Sequence, residues 1–304
     1  MNIAIVAYIP NKMKNMNLKF NASKLAFLLV VLTFFGCKEQ LFDSPPELTP
    51  IVEAATPPPV TADVPPVKWY EDVSEVTLPI SDGKPVDPSF RMGNSKPVIV
   101  ILGSSSAAGK GASSKSKSWV ELMKAKLKAD KKDVEVINLS EGGFTTYHVM
   151  PDGNKVANRP SPNTSKNITK ALSYKPFLII VNLPTNDIDK KYTDKETMNN
   201  YAKLRSIAIK ANTNYIVTGT QPRNFSTKSQ RNRLLEQNEK MVSMDPAHVV
   251  DVLKKLSLQD FKIKKAYAYS DGIHPNDAGH KVINGYVFNA PMFKQLMGYT
   301  SVNP

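Results

Sequence analysis

The sequence has very little cysteine: Cys37 is the single copy among 304 residues. An internal disulfide needs two cysteines, so the fold is predicted to have none. Histidine is also scarce, with four copies. Each histidine can therefore be considered individually as a general base or as a metal ligand.

Acidic residues are outnumbered, since 27 Asp and Glu stand against 40 Lys and Arg, for a formal net charge of +13. Four lysines and no acid precede Cys37, so a chain that begins there carries about +9. The lysines are scattered, and dispersed charge produces little local field. No stretch combines arginines with aromatic residues, so the sequence predicts no nucleic-acid partner.

Long hydrophobic runs are missing, and the most apolar segment is the short run Leu25–Phe35. Such a run is too short to be a comfortable membrane span. Lys19 and Lys24 precede it and a small residue follows it, which is the pattern of a secretory signal. Met13 and Met16 are better-placed starts for such a signal than the first residue.

Cys37 directly follows the small residue Gly36, so the signal is predicted to occupy residues 1–36. This arrangement resembles the lipobox of bacterial lipoproteins, although Phe34 stands where leucine is usual. The resemblance implies that Cys37 carries a lipid and anchors the protein in the bacterial cell envelope. Lys38 rather than aspartate after the cysteine favours the outer membrane. The alternative is a plain cleaved signal.

Residues 37–68 are predicted to be a proline-rich tether. Proline removes a backbone donor and disfavours helix in the residue before it. The segment should therefore be extended and act as a semi-rigid spacer that holds a domain, predicted to span 69–304, away from a membrane. Its prolines are Pro45, Pro46, Pro50, Pro57, Pro58, Pro59, Pro65 and Pro66.

Beyond the tether, apolar runs alternate with helical patterns. Strand–helix alternation predicts an α/β fold, with a mainly parallel five-stranded sheet between two layers of helices. The predicted strands are Val98–Leu102, Val134–Leu139, Phe177–Val181, Tyr215–Gly219 and His248–Val252. The predicted helices are Trp119–Ala129, Asn167–Ser173, Thr193–Ala211, Gln230–Met241 and Asn276–Phe288. Ligands bind at the carboxyl ends of the strands in such sheets.

The segment after the first strand, residues 103–111, has the sequence GSSSAAGKG. The pattern disfavours a phosphate-binding P-loop, because Gly103 lies one residue too far from Gly109 and Gly111 replaces the required Ser or Thr. The segment can instead present a serine hydroxyl at the sheet edge. From this loop alone, a purely structural turn is an equally good interpretation.

Residues with donor groups follow the next two strands. Gly143 follows the second strand, where a glycine leaves its N–H free to point into a site. Asn186 follows the third strand, and its neutral amide can meet developing negative charge. Alone, the glycine is compatible with an ordinary turn, and the asparagine with an Asx turn or a helix cap.

Near the carboxyl end, residues 271–280 have the sequence DGIHPNDAGH. Asp271 precedes His274 by three residues, and Pro275 and Asn276 should start a helix directly afterwards. That spacing lets the carboxylate accept from histidine Nδ1–H, which leaves Nε2 free to take a proton from a serine.

The other three histidines are weaker candidates. His280 is predicted to be structural, and His148 and His248 are predicted to lack an acid at useful spacing. A metal site is the rival use of this segment, but no other His or Cys cluster supports one. Its ligands would be Asp271, His274, Asp277 and His280.

Taken in order, these segments resemble the SGNH, or GDSL-like, hydrolase family over roughly residues 96–290. The first family block, Gly-Asp-Ser-x-x-x-Gly-x-Gly, matches residues 103–111 and selects Ser105 over the neighbouring serines. Gly143 lies five residues after Asn138, as in the second block. Asn186 and Asp187 match the third block, Gly-x-Asn-Asp. The closing segment with Asp271 and His274 is the most specific element.

Three positions depart from the family pattern. Ser104 replaces the aspartate before the nucleophile, Pro184 replaces the glycine of the third block, and Ser140 stands where a glycine is common. None of these three is a member of the implied triad. The departure at Ser104 bears on the geometry of the loop and on the level of activity.

The resemblance implies a flavodoxin-like SGNH hydrolase fold and a serine esterase mechanism without a cofactor or a metal. His274 would take the proton of Ser105, and Asp271 would orient the imidazole. The oxyanion would lie between the N–H groups of Ser105 and Gly143 and the amide of Asn186.

Three functions remain open at this point. The first is an O-acetyl esterase that acts on acetylated glycans or other small esters at the bacterial envelope. The second is a lysophospholipase or thioesterase of the same fold, although no extra apolar stretch is present to hold an acyl chain. The third is an inactive glycan-binding lipoprotein, for which Ser104 is the main support.

Overall fold

A computed structural model describes residues 96–299 of the chain. The predicted signal over 1–36, Cys37, the tether over 37–68 and the predicted domain start at residue 69 lie outside the described residues. The same is true of the last residues, 300–304. The elements below are numbered in chain order within the described range.

The core of the fold is a five-stranded sheet in which every neighbouring pair of strands is parallel, in the order β2-β1-β3-β4-β5. In the central register, Val100 lies opposite Ile137 of β2 and Ile179 of β3. The parallel α/β fold predicted from the alternating pattern is therefore confirmed. The strands are β1 (Val98–Gly103), β2 (Glu135–Asn138), β3 (Leu178–Asn182), β4 (Asn214–Thr218) and β5 (Val249–Val250).

The uninterrupted apolar sequence of β1 follows from its position in the middle of this sheet. Successive side chains of a strand point to opposite faces, and both faces here are covered by helices. Ile99 and Ile101 pack into one apolar cluster, whereas Val100 and Leu102 pack into another. All four side chains are fully buried, which fixes the carboxyl end of β1 firmly in the sheet.

Helices form a layer on each face. The five predicted helices are present, and three short ones, α3, α6 and α8, were not predicted because apolar periodicity needs more than one or two turns to be visible. None of the helices within residues 96–299 is both long and apolar enough to cross a bilayer. The helices are α1 (Trp119–Ala129), α2 (Ile168–Ser173), α3 (Asn186–Asp189), α4 (Asp194–Lys210), α5 (Lys228–Met244), α6 (Leu253–Leu256), α7 (Asp277–Asn289) and α8 (Pro291–Leu296).

The first helix and the closing helix pack against the same face of the sheet. Trp119 and Met123 of α1 share an apolar cluster with Ile283 and Val287 of α7. Asn276 caps α7, because its side-chain oxygen accepts from the N–H of Gly279 at 3.0 Å. The closing helix therefore begins immediately after the Asp-x-x-His segment and holds that segment against the start of the domain.

Candidate active site

Ser105 lies two residues beyond the end of β1, at the carboxyl edge of the sheet. The strand order places β1 between β2 and β3, so the chain leaves β1 at the point where the order of strands reverses. Such a switch point opens a crevice in parallel α/β sheets. A tight turn raises Ser105 into it: the N–H of Ala108 donates to Ser104 and that of Lys110 donates to Ser105, both at 2.9 Å.

The structure brings Ser105, His274 and Asp271 into one hydrogen-bonded chain. Ser105 Oγ lies 2.8 Å from His274 Nε2, and His274 Nδ1 lies 2.7 Å from Asp271 Oδ2. The imidazole is mostly shielded, with 13% of its side chain exposed, whereas 30% of the Asp271 side chain is exposed. The three-residue spacing of Asp271 and His274 thus gives the predicted contact between them. The contact of His274 with Ser105 joins residues that are 169 positions apart in the sequence.

The contacts of Asp271 define how the imidazole is protonated. Its Oδ1 accepts the N–H groups of Ile273 at 2.9 Å and His274 at 3.0 Å, so the carboxylate is held by the turn itself. Burial raises the pKa of Asp271, but these hydrogen bonds and that from the imidazole outweigh burial and hold it below its ordinary value. An ionised Asp271 accepts from Nδ1–H, which leaves the lone pair of Nε2 directed at the serine hydroxyl.

Two glycines of residues 103–111, the loop that carries Ser105, are required by close approaches. A Cβ on Gly103 would lie 2.6 Å from Ala107 Cβ and 2.7 Å from Ser140 Oγ. A Cβ on Gly111 would overlap the carbonyl oxygen of Pro275 and lie 3.0 Å from His274 Cβ, and Gly111 has φ of +92°. The glycine pattern therefore lets the loop pack directly against the histidine segment.

His280 links the same loop to the closing helix. The N–H of Trp119 lies 3.3 Å from His280 Nδ1, and Nε2 lies 3.0 Å from the carbonyl oxygen of Lys110. Nδ1 must accept and Nε2–H must donate, so the ring is the neutral Nε2–H tautomer. Burial lowers the pKa of His280, which keeps it neutral. It has the structural environment that the sequence predicted.

A second link joins the two segments at the surface. Asp277, at the start of α7, accepts the N–H of Ser113 at 2.7 Å and its hydroxyl at 2.8 Å. Lys117 pairs with the same carboxylate at 2.9 Å. These contacts, led by the N–H of Ser113, hold the pKa of Asp277 at about 2. The loop that carries Ser105 and the helix that follows His274 are therefore joined at several points.

The segments that follow β1, β2 and β3 each contribute a hydrogen-bond donor to this region. Within residues 96–299, the backbone N–H groups of Ser105 and Gly143 donate to no protein acceptor. Gly142 and Gly143 are exposed, and a Cβ on Gly142 would lie 3.9 Å from Ser105 Cβ. Asn186 begins α3 beside this loop, and its amide nitrogen donates to the carbonyl oxygen of Phe144 at 2.8 Å.

The buried carboxylate of Asp187 fastens the second loop to the third. Its oxygens accept the hydroxyl of Thr146 at 2.5 Å and the N–H of Thr146 at 3.1 Å. The Thr146 hydroxyl oxygen in turn accepts from Asn200 Nδ2 at 2.8 Å. Burial raises the pKa of Asp187 to about 6, against the lowering effect of Thr146. Asp187 thus fixes the relative position of the segments that carry Gly143 and Asn186.

Two of the positions that depart from the family pattern, Ser104 and Ser140, lie close to the loop that carries Ser105. Ser104 is buried and its N–H donates to the carbonyl oxygen of Asn182 at 2.9 Å. Ser140 Oγ is buried without a hydrogen-bond partner. The loop geometry around Ser105 therefore forms with a serine at position 104.

The prediction for His248 was wrong, because Asp245 lies three residues before it. His248 Nδ1 lies 2.6 Å from Asp245 Oδ1, and Asp245 also pairs with Arg205 at 2.8 Å. This second Asp-x-x-His precedes β5, so it lies at the amino edge of the sheet, opposite to Ser105. The three-residue spacing therefore gives the same Asp–His contact here, but at the amino ends of the strands, away from Ser105.

The rival metal site does not form from the four residues considered for it. Asp277 and His280 are hydrogen-bonded to the segment that follows Ser105, while Asp271 and His274 contact each other. Among residues 96–299, no three or more His, Cys, Asp or Glu side chains are grouped as metal ligands would be.

Sequence reasoning missed the loop that follows β4. Arg223 donates to Asn186 Oδ1 at 3.4 Å and pairs with Asp189 at 2.6 Å. The N–H of Asn224 donates to the carbonyl oxygen of Gly272 at 2.9 Å. No periodicity marks these residues, and only the position of the loop after a parallel strand pointed to them.

Comparison with known proteins identifies a family whose sequence profile covers the residues of this site. The sequence profile of the GDSL-like lipase/acylhydrolase family matches residues 101–282. Among curated proteins, none matches the sequence.

Three solved structures illustrate the similarity of fold. A putative acylhydrolase from Bacteroides fragilis is 21% identical with a TM-score of 0.50, covering 67% of this chain and 90% of that one. TesA is 21% identical with a TM-score of 0.50, covering 66% and 99%. An acetyl xylan esterase is 16% identical with a TM-score of 0.50, covering 64% and 99%. At these identities the likeness establishes a shared fold.

The fold, the geometry around Ser105 and the matching profile define the protein as a carboxylic ester hydrolase. The chain belongs to the GDSL-like lipase/acylhydrolase family, whose profile covers more than half of its 304 residues.

Proposed function

We propose that Ser105 is the nucleophile, His274 the general base and Asp271 the orienting acid of a serine esterase. The hydrogen-bonded chain from Ser105 Oγ through His274 to Asp271 carries this proposal. His274 Nε2 takes the hydroxyl proton as Ser105 attacks the ester carbonyl, and it then protonates the leaving alcohol. Water hydrolyses the acyl-enzyme with His274 again as base.

The oxyanion of the tetrahedral intermediate is stabilised by the N–H of Ser105, the N–H of Gly143 and the amide of Asn186. The two backbone groups have no protein acceptor among residues 96–299, which supports this role. The amide of Asn186 has two N–H bonds, and the one not used by Phe144 is available. Loss of one such donor typically costs about 10²–10³ in turnover.

A fluorophosphonate probe tests the nucleophile. The wild-type protein should be labelled, while Ser105→Ala should remain unlabelled with an unchanged melting temperature. Ser104→Ala is the matched control, because its buried hydroxyl is adjacent in sequence and is expected to leave labelling intact. Equal labelling of wild type and Ser105→Ala would remove Ser105 from the mechanism. No labelling and no turnover by wild type would favour a glycan-binding protein without activity.

We further propose that the substrates are short acyl esters, with O-acetylated glycans as the favoured class. Ala108, Gly142 and Gly143 are exposed beside Ser105, so small side chains leave the crevice open to a bulky alcohol portion. Tyr269 is 41% exposed and its N–H donates to the carbonyl oxygen of His274 at 2.8 Å. An exposed aromatic ring with a polar hydroxyl beside the base suits a ligand that has both apolar and hydrated polar surfaces.

Long acyl chains have little apolar surface to contact there. Among residues 96–299, four large apolar side chains are more than about a third exposed, and only Tyr269 belongs to a segment with a triad residue. The four are Val156, Leu258, Tyr269 and Tyr286. The fold is also that of a protein described as an acetyl xylan esterase, so it accommodates such substrates.

Comparison of p-nitrophenyl acetate with p-nitrophenyl octanoate separates the two candidate substrate classes. We expect a higher kcat/KM for the acetyl ester, and release of acetate from acetylated xylan or another acetylated glycan. A preference for the octanoyl ester would contradict this proposal and favour a lysophospholipase or thioesterase.

Finally, we propose that the protein is anchored in the bacterial outer membrane through a lipid on Cys37. The apolar run before Cys37 and the proline-rich segment after it support this location. The full-length protein should enter the detergent phase in a phase-separation assay, and Cys37→Ser should move it to the aqueous phase. An aqueous wild-type protein would exclude lipidation.

A further inference from the structure

We infer that Arg223, in the loop after β4, is a positioning residue that holds the Asn186 amide in the orientation needed to bind the oxyanion. This inference rests on the proposed function of Ser105 and Asn186. Arg223 itself need not contact the substrate. Its effect is carried by the amide that it fixes.

The two partners of Asn186 require a single orientation of its amide. Arg223 Nη1 lies 3.4 Å from Asn186 Oδ1, and Asn186 Nδ2 lies 2.8 Å from the carbonyl oxygen of Phe144. A guanidinium only donates and a backbone carbonyl only accepts. A flipped amide would place two donors against each other on one side and two acceptors on the other. Arg223 therefore keeps the N–H bonds on the side of Gly143.

The guanidinium is itself held in place. Its Nη2 donates to Asp189 Oδ1 at 2.6 Å, and its Cζ lies 4.7 Å from the centre of the Phe225 ring. Only 14% of the Arg223 side chain is exposed. Because Asp189 lies on the same short helix as Asn186, Arg223 spans α3 and fixes the asparagine relative to its own helix.

The backbone around Arg223 is also anchored to the segment that carries the base. The N–H of Asn224 donates to the carbonyl oxygen of Gly272, and Asn224 Oδ1 accepts the N–H of Ile263, both at 2.9 Å. The buried Arg231 donates to the carbonyl oxygen of Phe225 at 2.6 Å. One loop therefore supports the oxyanion side and the base side of the site together.

The positive charge gives Arg223 a second effect. A cation beside Oδ1 draws electron density through the amide, which makes the Nδ2–H bonds stronger donors. The benefit appears when negative charge develops on the substrate oxygen, so it should affect kcat rather than KM.

The test is a double-mutant cycle with Arg223→Met and Asn186→Ala, using p-nitrophenyl acetate. Arg223→Met should lower kcat by about 10-fold to 100-fold with little change in KM, since a misplacement of about 1 Å can cost about 100-fold. Asn186→Ala should lower kcat by about 10²–10³. In the Asn186→Ala background, Arg223→Met should have almost no further effect, because the amide through which it acts is gone.

Arg233→Met is the matched control. Arg233 is also partly buried. It forms an ion pair with Asp194 and donates to the carbonyl oxygen of Tyr192, and neither partner is hydrogen-bonded to Asn186. It should lower the melting temperature while kcat stays at the wild-type value. Arg223→Lys should recover part of kcat, because it restores the charge without the two-pronged geometry.

Four results would overturn the inference. An equal loss of kcat from Arg223→Met with and without Asn186 would mean that Arg223 acts independently of the amide. A rise in KM at unchanged kcat would make Arg223 a substrate-binding residue. Full activity of Ser105→Ala would overturn the proposed function and this inference with it, whereas an inactive Ser105→Ala with a fully active Arg223→Met would overturn this inference alone.

Discussion

Substitution of Gly111 by alanine tests whether ester hydrolysis depends on the close contact between the loop that carries Ser105 and the segment that carries His274. The added Cβ would overlap the carbonyl oxygen of Pro275 and lie 3.0 Å from His274 Cβ. Neither neighbour is the flexible end of a side chain, so the two segments must separate. A shift of about 1 Å would break the hydrogen bond between Ser105 and His274 and lower kcat/KM by about 100-fold.

The positive φ of Gly111 adds a cost to stability. A residue with a Cβ in the left-handed region is less stable by about 1–2 kcal/mol. For a domain of this size each kcal/mol shifts the melting temperature by roughly 2–4 °C, so we expect a loss of about 2–8 °C. The protein should therefore stay folded at 25 °C, where kcat/KM for p-nitrophenyl acetate is measured.

Gly153→Ala separates backbone strain from the contact with His274. Gly153 has φ of +78°, but nothing lies within 4 Å of the Cβ that it would carry. This control should lose the stability that backbone strain costs, which is less than the total loss in Gly111→Ala, and keep its full kcat/KM. Wild-type activity in Gly111→Ala, or an equal loss of activity in Gly153→Ala, would refute the reasoning.

Three further substitutions test the surroundings of the site. Because the pKa of Asp187 is raised from 3.8 to about 6, the stability that its neutral form contributes is fully present below about pH 4 and is lost as the pH rises through about 6. Wild type should therefore lose about 3 kcal/mol of unfolding free energy between about pH 4 and pH 7, whereas Asp187→Asn should not. Urea unfolding at both pH values measures the difference between the two proteins, and a difference that does not change with pH would contradict this. Ser140→Ala removes a buried hydroxyl without a partner and should stabilise the protein by about 1 kcal/mol, so a lower melting temperature would count against it. His280→Ala leaves the buried N–H of Trp119 and the carbonyl oxygen of Lys110 unpaired and should cost about 2–4 kcal/mol of unfolding free energy, whereas a loss below 1 kcal/mol would argue against this linking role.

The sheet was largely predictable because a buried parallel strand has to be apolar along its whole length. The run Val98–Leu102 lies within β1, and α1 begins and ends at the predicted residues. The edge strand β5 is shorter than predicted: its paired residues are Val249 and Val250, and beyond them the carbonyl oxygen of His248 accepts from the N–H of Val217 at 2.9 Å. Pattern alone does not distinguish an apolar residue in a strand from one in an adjoining turn.

The candidate site was predictable where chemistry depends on short local spacing. Asp271 and His274 contact each other across a single turn, so their separation in sequence sufficed. The link from Arg223 to Asn186 joins loops that are distant in sequence, and nothing in either loop indicates the other. His248 shows the limit of spacing alone, because its contact with Asp245 is equivalent but lies at the amino edge of the sheet.

The distance in sequence between Ser105 and His274, 169 residues, determines when activity can arise during synthesis. The first strand and its serine leave the ribosome early, but the base is among the last parts of the domain to appear. Under the proposed mechanism, Ser105 has no partner to take its proton until α7 packs against α1. That mechanism predicts a chain that is inactive toward esters throughout most of its synthesis, and an inactive product when the chain is truncated before residue 271.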